Sequence, residues 1–317
     1  MSTKQLSSRA LIGTYYYHLE QDAGQSWINQ ISMPFTSNQE SETYAWLGQS
    51  PVMREWIAGR QAKGFTENNI IIRNRHFEAT LEVSVTDLRR DKTGQVMVRI
   101  RELAERTNSH WAQLLSQLIA DGESSVCYDK NYFFDTKHSE GKSGLQSNAI
   151  AVNLAELPIT QKEQGSKTDP SARVMKSAIL RGVRQIIGFK DDQGEPMNEN
   201  ARRFLLMIPT SFMDVANAAI NNAVLSGAET NDLAATRNFA IDYVVNPRLT
   251  WANKFVVFRT DGSVSPFIRQ EETPVQLNAI AEGSEEEFKN QRHLYGVDCW
   301  RNVGYGYWQK ACLVTLT

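Results

Sequence analysis

Between Tyr128 and Gly144 the sequence reads YDKNYFFDTKHSEGKSG, which gathers two aspartates, a histidine, three consecutive aromatic rings and a Gly-Lys-Ser triplet into one short span. Asp129, Asp135 and His138 are residue types that ligate metals and activate water, so one chemistry open to them is metal-assisted hydrolysis. Asp135 and His138 alone are too few ligands for such a site, and His18, His76, His110 and His293 are each isolated in sequence. Gly141, Lys142 and Ser143 have the ending of a phosphate-binding loop, but Thr136 stands where G-x-x-x-x-G-K-S requires glycine. The segment also follows a helical pattern rather than a buried strand, so its amides are not set up to wrap a phosphate. Neither a G-x-S-x-G elbow nor an H-E-x-x-H pair occurs. The reading that asks least of the loop is structural. Tyr132, Phe133 and Phe134 plug a core beside a turn held by Tyr128, Asp129, Asp135 and His138. On this reading no residue is catalytic, and no cofactor or metal is expected.

The elements that must position this loop follow from periodicity. Residues up to about Gly48 are polar, with scattered aromatics and no sustained period, and read as an arm with anchor points. FEATLEVSVT alternates strictly, with Phe77, Leu81 and Val83 on one face and Glu78 and Glu82 on the other, which is a half-buried strand; NNIIIRNR before it is the expected partner. After Gly94 a helical stripe runs through Val96, Ile100, Leu103, Trp111, Leu115 and Leu118, with Gly122 as the expected stop. Such a helix would be about 40 Å long, enough for a structural spine. DPSARVMKSAILRGVRQIIG predicts a second helix capped by Asp169 with Pro170 in its first turn. RFLLMIPT reads as a buried strand, and SFMDVANAAINNAVLSG as a helix whose Ser211 and Asp214 suit a capping box. FAIDYVV, KFVVFRT and SVSPFIRQ read as further strands, EGSEEEF as a solvated loop, and the class is mixed α+β.

The chain has 317 residues, more than one hydrophobic core ordinarily serves, so two domains or one with long extensions are expected. Lys and Arg total 34 against 36 Asp and Glu, a net charge of −2, which advertises no global affinity for nucleic acid. No apolar run has the length of a signal peptide core or a bilayer span, so no membrane is expected as a partner. Cys127, Cys299 and Cys312 are odd in number and lack C-x-x-C spacing, which fits a reducing cytoplasm.

CYDKNYFFDTKH, followed by Ser147 and Asn148, resembles a signature of the Mu-like phage major head subunit family, the gpT capsid proteins. YAWLGQSPVMREWIAGR and IIRNRHFEATLEV resemble the family's N-terminal half, and VVNPRL, SPFIRQ and YGVDCWRNVGYGYWQ its C-terminal half. Lys130 and Asn131 depart from the family, where a small or polar pair such as Gly-Gln would follow Asp129. The resemblance implies the Hong Kong ninety-seven type of tailed-phage capsid fold. Its parts would be an N-terminal arm over 1–48, an extended hairpin over 54–91, a peripheral domain with the spine helix over 49–53, 92–147 and 274–317, and an axial domain over 148–273.

The function implied is a major capsid protein that assembles in the host bacterial cytoplasm and ends in the virion as an icosahedral head around double-stranded DNA. Its partners would be itself, in hexamers and pentamers, with portal, scaffold and decoration proteins. Packaged DNA would touch the inner face without regard to sequence. Arg54, Trp56, Arg60, Arg73, Arg75, Phe77, Glu78, Leu81, Glu82, Val83, Arg89 and Arg90 are the candidate contacts between subunits. An isolated hairpin is marginal in water, so its apolar face needs cover. From the residues alone, a neighbour and the subunit's own domain stand equal; the resemblance favours the neighbour. A net charge of −2 also lets many copies close at cellular salt. The alternatives are a metal-assisted hydrolase centred on Asp129, Asp135 and His138, or a cellular compartment shell of the same fold.

Overall fold

The computed structural model describes residues 7–21, 26–44, 70–90, 94–225, 229–231, 233 and 239–317. In chain order its elements are α1 (Ser8–Gln21), α2 (Trp27–Ile31), β1 (Ser32–Thr36), β2 (Ser41–Tyr44), β3 (Ile70–Arg73), β4 (Arg75–Ser84), α3 (Val85–Arg90), α4 (Gln95–Asn108) and α5 (His110–Ala120). There follow β5 (Ala149–Val152), α6 (Gln161–Gln164), α7 (Ala172–Ile187), β6 (Arg203–Ile208), α8 (Met213–Asn221), β7 (Val224–Leu225), β8 (Glu229–Thr230), β9 (Ala240–Val245) and β10 (Lys254–Arg259). The chain closes with β11 (Phe267–Ile280), α9 (Glu285–Asn290), β12 (Arg292–Tyr305) and β13 (Ala311–Leu316).

Two sheets organise these parts. One has the order β1-β11-β12-β4 and the other β5-β13-β10-β6-β9. The second is built from near-continuous apolar strands, RFLLMI, KFVVFR and ACLVTL, whose residues are almost all buried, as strands covered on both faces must be. Helix α7 lies on it so closely that a Cβ at Gly182 would stand 3.0 Å from Val257 and 3.1 Å from Val314. The first sheet spans two cores. Phe267, Ile268 and Tyr305 belong to the large core beneath α5 and α7, whereas Leu277, Tyr295 and Val297 belong to a smaller one closed by α1 and α4.

The strand pairing differs from the expected hairpin. NNIIIRNR does not pair with FEATLEVSVT: β3 pairs antiparallel with β2, Ser41 opposite Arg73, and β4 pairs antiparallel with β12, Val83 opposite His293. The cause is local. Only Asn74 separates β3 from β4, and one residue cannot reverse a strand into a hairpin. Asn74 is itself buried, donating from Nδ2 to Ser37 Oγ at 3.1 Å and to the Gln39 carbonyl at 2.8 Å. The β2–β3 pair is tied to β11 through Tyr44 and Gln270 (2.8 Å). The intervening 45–69, which include Arg54, Trp56 and Arg60, lie outside the described residues.

Other expectations shift for similar reasons. The spine is two helices meeting at Ser109, because α4 turns Val96, Ile100 and Ala104 to the small core while α5 turns Ala112, Leu115 and Ile119 to the large one. Helix α5 ends at Ala120 in a 3₁₀ turn over Asp121–Glu123, so it stops beside Gly122 as expected, and Gly122 is also a close-approach site: a Cβ there would stand 2.5 Å from the Phe134 ring. Ser171, not Asp169, caps α7, accepting from Val174 N–H at 3.3 Å, since the Asp169 backbone is closed in a turn with Ser166 and Ser171 N–H donates to the Gln164 carbonyl. Ser211 and Asp214 form no capping box; a single 3₁₀ turn after Pro209 leads into α8. EGSEEEF is not a loop, because Ser284 caps α9 by accepting from Glu287 N–H (3.2 Å) and Glu287 accepts from Gly283 N–H (2.7 Å).

The arm is folded onto the body. Leu11 and Tyr15 are fully buried against α4, and Trp27, Ile28 and Ile31 enter the large core. Strand β11 continues across the expected domain boundary at 273/274, where its ladder to β12 shifts register between Glu271 and Thr273 and again between Thr273 and Gln276, and β13 lies inside the five-stranded sheet rather than with the preceding strands. A strand set between two others buries its apolar residues, and Cys312, Leu313 and Val314 are all buried there.

Candidate functional site

The loop after α5 is held by its own polar side chains. Asp135 accepts from Thr136 N–H (2.6 Å) and Lys137 N–H (3.0 Å) through Oδ1, and Oδ2 receives Tyr132 N–H at 3.3 Å. Asp129 accepts from Asn131 N–H at 3.2 Å, which tightens the preceding turn. Lys130 sits at φ 69°, a left-handed conformation that favours glycine, at the position where the sequence departs from its resemblance. Between these turns Phe133 and Phe134 enter the large core, Phe133 stacking on Tyr305 with centroids 4.7 Å apart.

His138 is fully buried at the centre of this arrangement. Its Nδ1 meets Asp129 Oδ2 at 2.5 Å and its Nε2 meets Asn148 Oδ1 at 3.1 Å. The Asn148 amide is fixed, because Nδ2 donates to the Phe133 carbonyl (2.7 Å) and Oδ1 accepts from Asp135 N–H (2.9 Å). Both ring nitrogens therefore act as donors, one towards a carboxylate. The ring stacks on Trp308, centroids 4.0 Å apart and planes 8° from parallel. Burial alone would raise the Asp129 carboxyl, but the His138 hydrogen bond and charge, with the Asn131 contacts, outweigh it and hold the group below the usual carboxylate range. Glu140 shows the opposite balance. Burial pushes its carboxyl up, only partly offset by hydrogen bonds from Tyr128 (2.5 Å) and Trp308 (3.3 Å).

A carboxylate–imidazole pair is what a catalytic dyad requires, but here no ring nitrogen is left for a substrate proton and no face of the ring reaches solvent. Nor are Asp129, Asp135 and His138 brought together as ligands, since Asp135 spends its oxygens on the backbone of its own turn. The cluster is a clasp that joins the loop to the start of β5 through Asn148 and to the turn before β13 through Trp308 and through Gln309, whose Nε2 donates to the Tyr128 hydroxyl at 3.0 Å. His138→Gln is accordingly expected to cost about 2 kcal/mol, the scale of a buried polar group left partly unsatisfied. Chemical unfolding of the unassembled subunit measures it; unchanged stability would show that the clasp holds nothing. Asn148 belongs to the signature quoted above, whereas Trp308, far along the chain, gives no local signal of its partnership.

The remaining candidates divide. Val83 is buried and Leu81 half-buried against α1 and α4, whereas the half-buried Phe77 packs edge-on to His110 with centroids 4.4 Å apart. At Val83 and Leu81 that face of β4 is covered by α1 and α4 of this chain, in place of the neighbour that the resemblance favours. Glu82 pairs with Arg292 at 2.8 Å, and Arg292 also holds Glu286 at 2.5 Å. Glu78 accepts from Thr80 Oγ1 at 3.0 Å. Arg73, Arg75, Arg89 and Arg90 are exposed, and Arg75 lies 5.3 Å over the Phe77 ring. Among the described residues no helix is long and apolar enough to cross a membrane.

Comparison with known proteins bears on these surfaces. The family described as Mu-like prophage major head subunit gpT matches residues 11–158 and 241–316. A Mu-like prophage FluMu major head subunit of Haemophilus influenzae is 25% identical over 289 residues, which is 90% of this chain and 65% of that protein. The major capsid protein of Escherichia phage Mu is 32% identical over 132 residues, 42% of this chain and 43% of that one. This chain thus spans less than two thirds of either relative's length. Among solved structures, the procapsid of bacteriophage JBD30 superposes with a TM-score of 0.55 at 21% identity, covering 98% of this chain and 76% of that chain.

Proposed function

The chain belongs to the Mu-like prophage major head subunit gpT family and has the Hong Kong ninety-seven type of capsid fold, and from that premise we propose that it is the major capsid protein of a Mu-like phage, building an icosahedral head. The observation that carries this reading is the family match on both sides of the chain, which takes in the arm, β4, the spine helices and every strand from β9 to β13. The sealed His138 centre agrees with it, since a shell subunit needs a rigid body and no reaction. Hexamers and pentamers of this chain would form the shell, with portal, scaffold and decoration proteins completing it in the host cytoplasm. Packaged double-stranded DNA would meet only the inner face, through salt-sensitive contacts blind to sequence.

Negative-stain microscopy of the expressed protein tests the proposal. Capsomers or closed shells are expected, alone or with the phage partners co-expressed. A species that stays monomeric across concentration and salt, with no particles in the presence of those partners, would overturn it.

A further inference from the structure

The turn that brings Trp308 to the clasp ends in Lys310, whose side chain enters a second buried polar cluster. Lys310 is 4% exposed, Arg259 is 7% exposed, and Asn198 is fully buried. Asn198 Nδ2 donates to the Ile186 carbonyl at 2.7 Å and to the Gln309 carbonyl at 2.8 Å, so its amide is fixed and Oδ1 has to face the cluster. Two cationic side chains converge on that one oxygen, Lys310 Nζ at 2.7 Å and Arg259 Nη1 at 2.8 Å.

Charge does not balance there. Among the described residues, the charged groups that face Lys310 are Arg259, at the end of β10, and Asp261, in the turn that follows. Asp261 is already engaged: its Oδ1 meets Arg259 Nε at 2.6 Å, and its Oδ2 accepts from the N–H groups of Arg202 (2.7 Å) and Arg203 (3.2 Å) on the approach to β6. Two buried cations thus share one carboxylate, and a guanidinium does not give up its proton. Lys310 can. Burial first, and then Arg259, push its ammonium from 10.5 down to about 8, against the pull of Asp261. A neutral amine still has an N–H to donate to Asn198 Oδ1, so losing the proton relieves the charge without breaking the hydrogen bond.

We propose that Lys310 is a proton-linked joint in the fold, tightest when its amine is neutral and loaded with an uncompensated buried charge when it is protonated. The joint fastens the turn before β13 to β10 and to the Asn198 loop, and it does not depend on assembly. Its sign follows from the two states. The unfolded chain keeps this proton up to about pH 10.5 and the folded chain only up to about pH 8, so the stabilisation is complete above pH 10.5 and is lost progressively as pH falls to 8. At neutral pH the subunit therefore carries a built-in weak point at the entrance to β13, a strand flanked by β5 and β10. The buried thiols of Cys127, Cys299 and Cys312 work in the opposite direction, because burial pushes each of them up and their contribution fades as pH rises.

Lys310→Met separates the joint from those thiols, since it keeps most of the apolar stem and carries no charge. Urea unfolding of the unassembled parent and variant at about pH 8 and about pH 10 should show the variant's folding equilibrium constant, relative to the parent's, falling about tenfold or more across that interval. A ratio that stays constant overturns the proposal. In the parent chain labelled with 13C-lysine, one Cε resonance should titrate near pH 8. If no lysine of the folded chain titrates below about pH 9, the proposal falls whether or not the variant folds.

Discussion

Val83→Asp is expected to destabilise the single, unassembled subunit by about 4 kcal/mol, and Leu81→Asp to act in the same direction less strongly. Val83 is 6% exposed and belongs to the small core with Leu11, Tyr15, Val96, Ile100 and Tyr295, while Leu81 packs at its edge. An aspartate at position 83 would place a carboxylate among these groups opposite His293 on β12, with the desolvation cost that follows for a charge lacking designed partners. Had this face of β4 waited for a neighbouring subunit, the isolated variant would melt normally and fail only in assembly. Because α1 and α4 already cover it, the loss should appear before any assembly is attempted. Thermal melting of the dissociated subunit decides: a midpoint equal to the parent's, with particles lost, would return the face to the inter-subunit interface.

The second large effect is expected at Trp308. The indole is fully buried, stacked on His138, edge-on to Phe189 with centroids 5.2 Å apart, and donates Nε1–H to Glu140. Trp308→Ala removes a large buried side chain, leaves a cavity between the signature loop and the five-stranded sheet, and takes a donor from a carboxyl that burial already disfavours as a charge. About 4–5 kcal/mol is the scale for such a truncation. Trp308→Phe should recover part of it by restoring a ring against His138 without the lost hydrogen bond. Urea unfolding of the two variants measures both steps. A loss for Trp308→Ala below about 2 kcal/mol would show that the loop and sheet are held together elsewhere.

These two residues mark where sequence reasoning stops. The alternation of Phe77, Leu81 and Val83 correctly announces a strand with one apolar face, because side chains alternate across any strand whatever covers it. It carries no information on whether that cover comes from α1 and α4 or from another molecule. The apolar runs of β6, β10 and β13 and the stripe of α7 are equally local, and each folds as its period dictates. The cap of α9 was also legible, as Ser284 followed by Glu287, but the run of acidic residues suggested a solvated loop.

Partnership was decided only in three dimensions. The strand pairing of β4 with β12 joins segments far apart in the chain, Ser84 with Arg292 and Arg75 with Arg301, and nothing in NNIIIRNR or FEATLEVSVT reveals that Asn74 is too short a link for the two to form a hairpin except the geometry of a turn. The spine pattern is continuous in sequence, yet it divides at Ser109 because its two halves face different cores. Within the signature, Asp129 and His138 stand in a span short enough to suggest a dyad. Their role was settled by Asn148 on β5's doorstep and by Trp308, which returns from the C-terminal stretch to close the ring's open face. Short-range periodicity fixes what each segment must bury; which segment arrives to bury it depends on the closure of the whole chain, and that closure turned a candidate active site into a clasp.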